Sequence, residues 1–210
     1  ILEDTDIDGD LVLNHEDLCP EGAQYWNTFS TDHDGDGCRD MDEDDNDDND
    51  PYLDVYDDCP TGVIGWTGVA YDHDSDGCQD HEEDLDDDND GVLDREDSCP
   101  YGMLDWTSNE ISDQDGDGCN DVYEDADVDA DGVLDIEDSC ISGKSEWEST
   151  TLNDWDRDGC HDTEEDDDDD NDGFLDFEDS CIRSSSPNLV DADMDGCDDR
   201  GEDTDLDNDG

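Results

Sequence analysis

The sequence predicts a mostly irregular fold with few helices or strands, extended into an elongated, disulfide-linked repeat rod. Cysteines recur in two series with a period of about 40 residues, which indicates a repeat array. Acidic residues stand at every second position between these cysteines, in constant phase with glycine. Apolar residues are too few for an ordinary core. Units that contact mainly their neighbours form elongated arrays.

The composition excludes a conventional globular domain. Hydrophobic residues make up 29% of the 210 residues, the mean hydropathy is -1.14, and 77 Asp and Glu face 6 Lys and Arg. Such a chain cannot bury enough apolar surface to offset the conformational entropy that it loses on folding. With a net charge of -71, its acidic side chains also repel one another in any compact state. A disordered acidic tail or a halophile surface would share this composition, but neither predicts acids in a fixed register.

The charge and the residue order also exclude several functions. No basic patch exists to neutralise phosphates, so no nucleic-acid partner is expected, and no apolar run approaches the ~20 residues of a membrane span. The histidines do not recur at one fixed position of the repeat, and we predict that they are solvated (His15, His33, His73, His81 and His161). No arrangement for nucleophilic catalysis emerges, so the protein is not expected to be an enzyme.

The stretch from Asp72 to Asp97 shows the repeat most clearly. It holds two twelve-residue segments, 72–83 and 86–97, with acids at positions 1, 3, 5, 9 and 12 and glycine at position 6. This is the ligand spacing of a calcium-binding EF-hand loop, in which position 7 contributes its backbone carbonyl. We name the first kind the cysteine loop, after its residue at position 7, and the second the leucine loop, after its residue at position 8.

Loops of these two kinds alternate along the whole chain, and their aligned residues are the predicted calcium ligands. In the cysteine loops they are Asp32, Asp34, Asp36, Cys38, Asp40 and Glu43; Asp72, Asp74, Asp76, Cys78, Asp80 and Glu83; Asp113, Asp115, Asp117, Cys119, Asp121 and Glu124; Asp154, Asp156, Asp158, Cys160, Asp162 and Glu165; and Asp191, Asp193, Asp195, Cys197, Asp199 and Glu202. In the leucine loops they are Asp6, Asp8, Asp10, Asn14 and Asp17; Asn46, Asp48, Asp50, Asp54 and Asp57; Asp86, Asp88, Asp90, Val92, Asp94 and Asp97; Asp127, Asp129, Asp131, Val133, Asp135 and Asp138; Asp168, Asp170, Asp172, Phe174, Asp176 and Asp179; and Asp205, Asp207 and Asp209 of a last, incomplete loop.

These loops predict about two Ca²⁺ per repeat and roughly ten or more in all. Ten ions would leave a net charge of about -51, so bound ions would replace a hydrophobic core as the source of folding energy. Leu11 and Pro51 replace the position-6 glycine, and we expect them to weaken or distort their loops. The acid between two loops, such as Asp84, is placed to serve either ion or to bridge both; whether these acids bind extra ions stays open.

The register divides the chain into repeats. We assign a partial repeat at 1–31, repeats at 32–71, 72–112, 113–153 and 154–190, and a partial repeat at 191–210, all as a segment of a longer array. Each insert between a leucine loop and the next cysteine loop begins at a cysteine. The first four carry glycine and tryptophan in constant phase (Gly22 and Trp26, Gly62 and Trp66, Gly102 and Trp106, Gly143 and Trp147), whereas the fifth has Ser184 and Asn188. We predict that each Trp caps a disulfide and glycine; carbohydrate stacking is the alternative.

The even count of ten cysteines, with no close C-x-x-C pair for zinc, indicates disulfides and an exported protein. The calcium segments are nearly constant in length and should be held extended by their ions. The inserts vary and can double back, which brings their ends within the ~5.5 Å Cα separation of a disulfide. We therefore predict five pairs across the inserts: Cys19–Cys38, Cys59–Cys78, Cys99–Cys119, Cys140–Cys160 and Cys181–Cys197.

Nothing in the sequence supplies the amphipathic helices that flank true EF-hand loops. Position 8 is leucine throughout the leucine loops and polar in the cysteine loops, which argues against a paired-loop β bridge. We predict that these leucines tuck against the adjacent insert (Leu13, Leu53, Leu93, Leu134 and Leu175).

Tandem D-x-D-x-D-G motifs without helices, followed by D-x-C-P at 17–20, 57–60 and 97–100, resemble thrombospondin type 3 repeats. The resemblance covers essentially the whole chain. It implies that the chain wraps around a string of calcium ions, that the aligned Asp residues are ligands, and that disulfides link neighbouring segments. The second cysteine, directly after the D-G of the cysteine loop, and the Gly and Trp inserts depart from that pattern.

These features predict an extracellular or cell-surface structural protein: a calcium-stiffened rod, stalk, or fibre or filament subunit. Its expected partners are other copies or neighbouring repeats of the same protein. The alternative is a cell-adhesion protein whose calcium-ordered, Trp-containing inserts bind a glycan or surface partner.

Overall fold

The structure is a computed structural model that describes residues 5–26, 28–68, 70–184 and 190–204. Within these ranges the only helical elements are α1, Thr28–Thr31, and a one-turn 3-10 helix, Asp54–Tyr56; no β-strand occurs there. All other described residues form turns, bends and irregular segments. The prediction of a mostly irregular fold is confirmed. None of the described helices is long and apolar enough to cross a membrane.

Disulfides close the inserts as predicted. Four pairs have Cα–Cα separations of 5.1–5.2 Å, namely Cys19–Cys38, Cys59–Cys78, Cys140–Cys160 and Cys181–Cys197. Cys99 and Cys119 are the remaining two disulfide-bonded cysteines, which makes five disulfides in all. Because such bonds persist in oxidising compartments, they indicate an extracellular or otherwise oxidising environment.

The contacts divide the chain into two units, Ile1–Thr107 and Ser108–Gly210. In each unit the interior consists of carboxylates and half-cystines. Every one of the largest fully buried side chains is an aspartate: Asp10, Asp48, Asp72, Asp88, Asp90, Asp113, Asp129, Asp131 and Asp154. Trp66 and Val128 are the only buried apolar side chains, other than cysteine, among the described residues.

The same three hydrogen bonds close all ten complete loops. In the loop 72–83, the Asp80 N–H donates to the Tyr71 carbonyl (3.0 Å), just before the loop. The Asp80 carboxylate accepts the His73 N–H (2.9 Å), and the Asp76 carboxylate accepts the Cys78 N–H (2.8 Å). Short polar side chains that bond nearby backbone groups stabilise turns in place of helices or strands. The alternating acids therefore determine the backbone path as well as the charge.

One prediction about side-chain environment is wrong. Four of the five leucines at position 8 are exposed by 41–49% (Leu13, Leu53, Leu134 and Leu175), because the volume beside the inserts is occupied by carboxylates and disulfides. None of the five histidines is buried, as predicted. Two of them, the exposed His33 and the half-buried His73, also make a hydrogen bond to a backbone carbonyl. Their Nε2 atoms donate to the carbonyls of Gly62 (3.0 Å) and Gly102 (3.2 Å) in the following insert.

Candidate metal centres

Positions 1, 3 and 5 come together in loops of both kinds. Asp72, Asp74 and Asp76 place carboxylate oxygens within 4.8 Å of one another, as do Asp32, Asp34 and Asp36 of the preceding cysteine loop. The group Asp6, Asp8 and Asp10 shows the same arrangement in a leucine loop. The prediction that these alternating aspartates converge agrees with this geometry.

A leucine-loop amide helps to hold the cysteine-loop group. The Asn89 amide nitrogen donates to the Asp74 carboxylate and, at 3.1 Å, to Asp76. Asn49 and Asn171 hold the equivalent place in their repeats. Sequence analysis did not identify this position, although its recurrence at position 4 was a visible signal.

A second group joins positions 3, 5 and 12 of the leucine loop, and we call it the junction cluster. Asp48, Asp50 and Asp57 are all buried, with carboxylate oxygens within 4.8 Å of one another. Asp50 and Asp57 each accept the backbone N–H two residues later (2.6 Å), and Asp48 accepts the N–H of Gly62 from the insert (3.0 Å). The insert glycine therefore organises a ligand directly.

The junction clusters contain buried oxygens without a hydrogen-bond partner. They are Oδ2 of Asp50 and Asp57; Oδ1 of Asp8 with Oδ2 of Asp10 and Asp17; and Oδ1 of Asp129 with Oδ2 of Asp131 and Asp138. Burying an ionised carboxylate costs several kcal/mol or more unless it is paired or coordinates a metal, so such a group otherwise tends to take up a proton. An all-oxygen donor set with flexible geometry is the one that Ca²⁺ prefers, so these residues fit a calcium ion.

The position-12 glutamates connect neighbouring loops. Glu83 accepts N–H groups from Val63 of the preceding insert (2.6 Å) and from Gln79 of its own loop (3.0 Å). Glu83 and Asp72 are also charged neighbours of Asp50 in the preceding leucine loop. The carboxylates of a cysteine loop thus face the junction cluster before it, and the acidic groups cross the boundaries of single loops.

A third group lies between the two loops of a repeat. Asp80, at position 9, is within 4.8 Å of the interloop Asp84 and of Asp87, at position 2 of the leucine loop. Asp80 was predicted as a ligand of its own loop, and Asp84 as an acid that serves either ion or bridges both. The position-2 acids were not predicted, although aspartate recurs there in three leucine loops (Asp47, Asp87 and Asp169).

Burial and mutual repulsion shift the acidity of these carboxyls. Burial is the largest cause and neighbouring carboxylates add to it, so that the pKa of Asp47, Asp74 and Asp129 rises to about 7. The same causes raise the pKa of Asp50 and Asp57 to about 6. A nearby divalent cation would act in the opposite direction, because an opposite charge favours the ionised form.

The other predicted ligands occupy defined places in the loops. The position-7 cysteines are buried half-cystines whose N–H groups bond the position-5 carboxylates. In eight of the ten complete loops the position-1 acid accepts the N–H of position 6, as Asp86 does from Gly91 (3.1 Å). The loop of Gly77 does not have this bond, and Oδ2 of its Asp72 is buried without a partner. The predicted ligands Asp205, Asp207 and Asp209 lie outside the described residues.

The loops with a replaced position-6 glycine still form. Leu11 adopts a φ of 88°, a left-handed conformation that costs a non-glycine residue about 1–2 kcal/mol. Pro51 has no N–H to donate to the position-1 side chain, so that loop keeps its three closing bonds but lacks the bond between positions 6 and 1. The expected weakening of these two calcium sites stays a prediction.

The close approach of Asp57 to Gly77 makes that glycine a sensitive position. A Cβ there would lie 2.3 Å from Asp57 Oδ1 and 2.9 Å from its Cα, and the φ of Gly77 is 97°. Gly132, at the same loop position, has a φ of 92° and nothing within 4 Å. We expect Gly132→Ala to cost about 1 kcal/mol through backbone strain and Gly77→Ala to cost about 1–3 kcal/mol more through the added overlap.

Denaturant unfolding of both variants in saturating calcium would measure this difference. Equal losses would show that Asp57 moves aside freely and that the close approach is unimportant.

No protein-family model matches the chain, and a search of curated proteins finds no match.

Proposed function

We propose that this chain is an extracellular calcium-binding structural protein, a rod, stalk or fibre subunit that calcium stiffens. The observation that carries the proposal is the buried interior of aspartates whose oxygens converge and in part have no hydrogen-bond partner. Calcium ions at these groups would neutralise the charge that otherwise opposes a compact chain.

The disulfides and the repeating loops support a structural role. Each disulfide closes one insert, and calcium would bind the loops on either side of it, so successive repeats would be held by covalent and ionic links in turn. Bound ions that exist only in the folded state contribute directly to folding free energy. Such a chain would be stable in calcium-rich extracellular fluid and unstable where calcium is scarce. The resemblance to thrombospondin type 3 repeats agrees with this proposal.

The environment of one insert tryptophan favours a structural over a sugar-binding role. Trp66 is only 7% exposed, and its ring lies 6.4 Å from that of Tyr52 in the preceding leucine loop. Trp147 contacts His161 edge-on, with ring centroids 4.8 Å apart. A ring that stacks on a carbohydrate must present its face to solvent, which Trp66 does not.

Equilibrium dialysis of the oxidised protein would test the proposal. We expect roughly ten or more Ca²⁺ per chain, with dissociation constants of about 10⁻⁴–10⁻³ M as in other extracellular modules. Magnesium is the control. It should compete poorly, since it demands near-ideal octahedral geometry and gives up its water reluctantly. Binding of only a few ions, or equal binding of both metals, would contradict specific calcium sites.

A further inference from the structure

The group between the two loops of a repeat remains unassigned when each loop is given one ion. We call it the interloop group: position 9 of the cysteine loop, the interloop acid, and position 2 of the leucine loop. In the third repeat these are Asp80, Asp84 and Asp87, whose carboxylate oxygens lie within 4.8 Å of one another.

The carboxylates of this group include buried oxygens without a hydrogen-bond partner. Asp87 is 3% exposed; the Tyr101 hydroxyl donates to its carboxylate, yet Oδ1 has no hydrogen-bond partner. Asp84 has the same asymmetry, because it accepts the N–H groups of Leu85 (2.7 Å) and Asp86 (3.1 Å) through Oδ1 and leaves Oδ2 without a partner. Hydrogen bonds from the Tyr101 hydroxyl and from two backbone N–H groups thus hold these two carboxylates and leave one buried oxygen of each for another ligand.

The second repeat has aspartates at the same three positions, Asp40, Asp44 and Asp47. Asp47 is 9% exposed, its Oδ1 has no partner, and Asp40, Asp44 and Asp54 are its charged neighbours. Asp44 also has a buried Oδ2 without a partner. The interloop group is therefore a repeated feature.

The fifth repeat places a cation of the chain itself against the equivalent acids. The Arg183 guanidinium contacts the Asp162 carboxylate, and its Nε lies 3.2 Å from Asp169 Oδ2. Asp162 and Asp169 correspond to Asp80 and Asp87, and their side chains are 0% and 5% exposed. Positive charge is thus accommodated at these positions in the fifth repeat, where Arg183 supplies it.

The fourth repeat shows the opposite replacement. Val128 occupies the position of Asp87 and is 5% exposed, so an apolar side chain fills this place when the acid is missing. The fourth repeat keeps the predicted ligands Asp121 and Asp135 and the interloop acid Asp125.

We propose that the interloop groups of the second and third repeats each bind a further calcium ion, in addition to those of the two loops, and that the residue at position 2 of the leucine loop decides whether a repeat has this site. The inference rests on the proposed calcium-binding function. It predicts that the repeats differ in ion content, with the fourth repeat holding one ion fewer than the third.

Two reciprocal substitutions in the full oxidised chain test this proposal. Asp87→Val copies the fourth repeat into the third, and Val128→Asp does the reverse. Native mass spectrometry at saturating calcium should show one ion fewer for Asp87→Val and one ion more for Val128→Asp than for the unaltered chain. Trp emission and near-ultraviolet circular dichroism check that each variant keeps its fold.

An unchanged ion count in a folded variant would overturn the proposal. Should one variant fail to fold, the count in the other decides. If the unaltered chain itself binds no calcium, the proposed function fails instead, so the two failures are distinguishable.

Discussion

Removing calcium from the oxidised protein with EGTA is expected to unfold it. The largest fully buried side chains are all aspartates, and without bound ions their mutual repulsion acts against a chain of net charge -71 with little apolar surface to bury. The radius of gyration should rise toward the ~50 Å of an unfolded chain of this length, remaining below it because the disulfides persist. Emission from the buried Trp66 should shift to longer wavelength.

Small-angle scattering and Trp fluorescence would measure this expansion, and returning calcium should reverse it. An equal concentration of potassium chloride is the control for simple screening. A chain whose size and emission do not respond to EGTA would show that ions are not its source of stability.

The pH dependence of the ion-free protein follows from the same carboxylates. Burial and neighbouring acids raise the pKa of Asp47, Asp74 and Asp129 to about 7 in the compact state, above the value of 3.8 for a free aspartate. Protonation therefore favours the compact state, with its full effect below pH 3.8 and its loss as pH rises through 7. The EGTA-treated chain should be more compact at pH 4 than at pH 8.

Loss of one disulfide is expected to have the second-largest effect. Cys59 and Cys78 are 19 residues apart in sequence, and closing a loop of about this size contributes about 3 kcal/mol in the chain-entropy description. The disulfide also holds the end of the leucine loop 46–57 beside the cysteine loop 72–83. A backbone hydrogen bond from the Asp58 N–H to the Asp76 carbonyl (2.8 Å) lies next to it. The double variant Cys59→Ser, Cys78→Ser should lose about this much stability and bind calcium more weakly at the adjoining junction cluster.

Denaturant unfolding in calcium, together with ion counting, would measure both effects. The double alanine variant is the matched control, since it removes the same bond without adding a hydroxyl. Unaltered calcium affinity in both variants would show that the loops form independently of the disulfide.

The local chemistry of this chain was accessible from its sequence. The repeat, the sparse secondary structure and the disulfide pairing across the inserts all follow from short-range features. Alternating aspartates bond the nearby backbone, as Asp76 bonds Cys78 and Asp80 bonds His73, and such contacts depend on sequence spacing alone. The same spacing correctly brings Asp72, Asp74 and Asp76 together.

The grouping of ligands across loops depended on tertiary structure. Glu83 faces the preceding insert and leucine loop, and Asp87 joins Asp80 and Asp84. The spacing within one EF-hand loop could not predict this. The disulfide-closed insert brings Glu83 to the preceding leucine loop, and the packing of two successive loops brings Asp87 to Asp80 and Asp84. The exposure of the position-8 leucines also depends on packing, because carboxylates and half-cystines occupy the buried interior.

A spacing motif specifies which oxygens one short loop turns inward. Which carboxylates then share a buried space depends on how the loops pack, because repulsion and desolvation act between all acids brought close together, whatever their separation in sequence. The sequence pattern predicted which aspartates turn inward. The packing of the loops decided which of these aspartates lie close to one another.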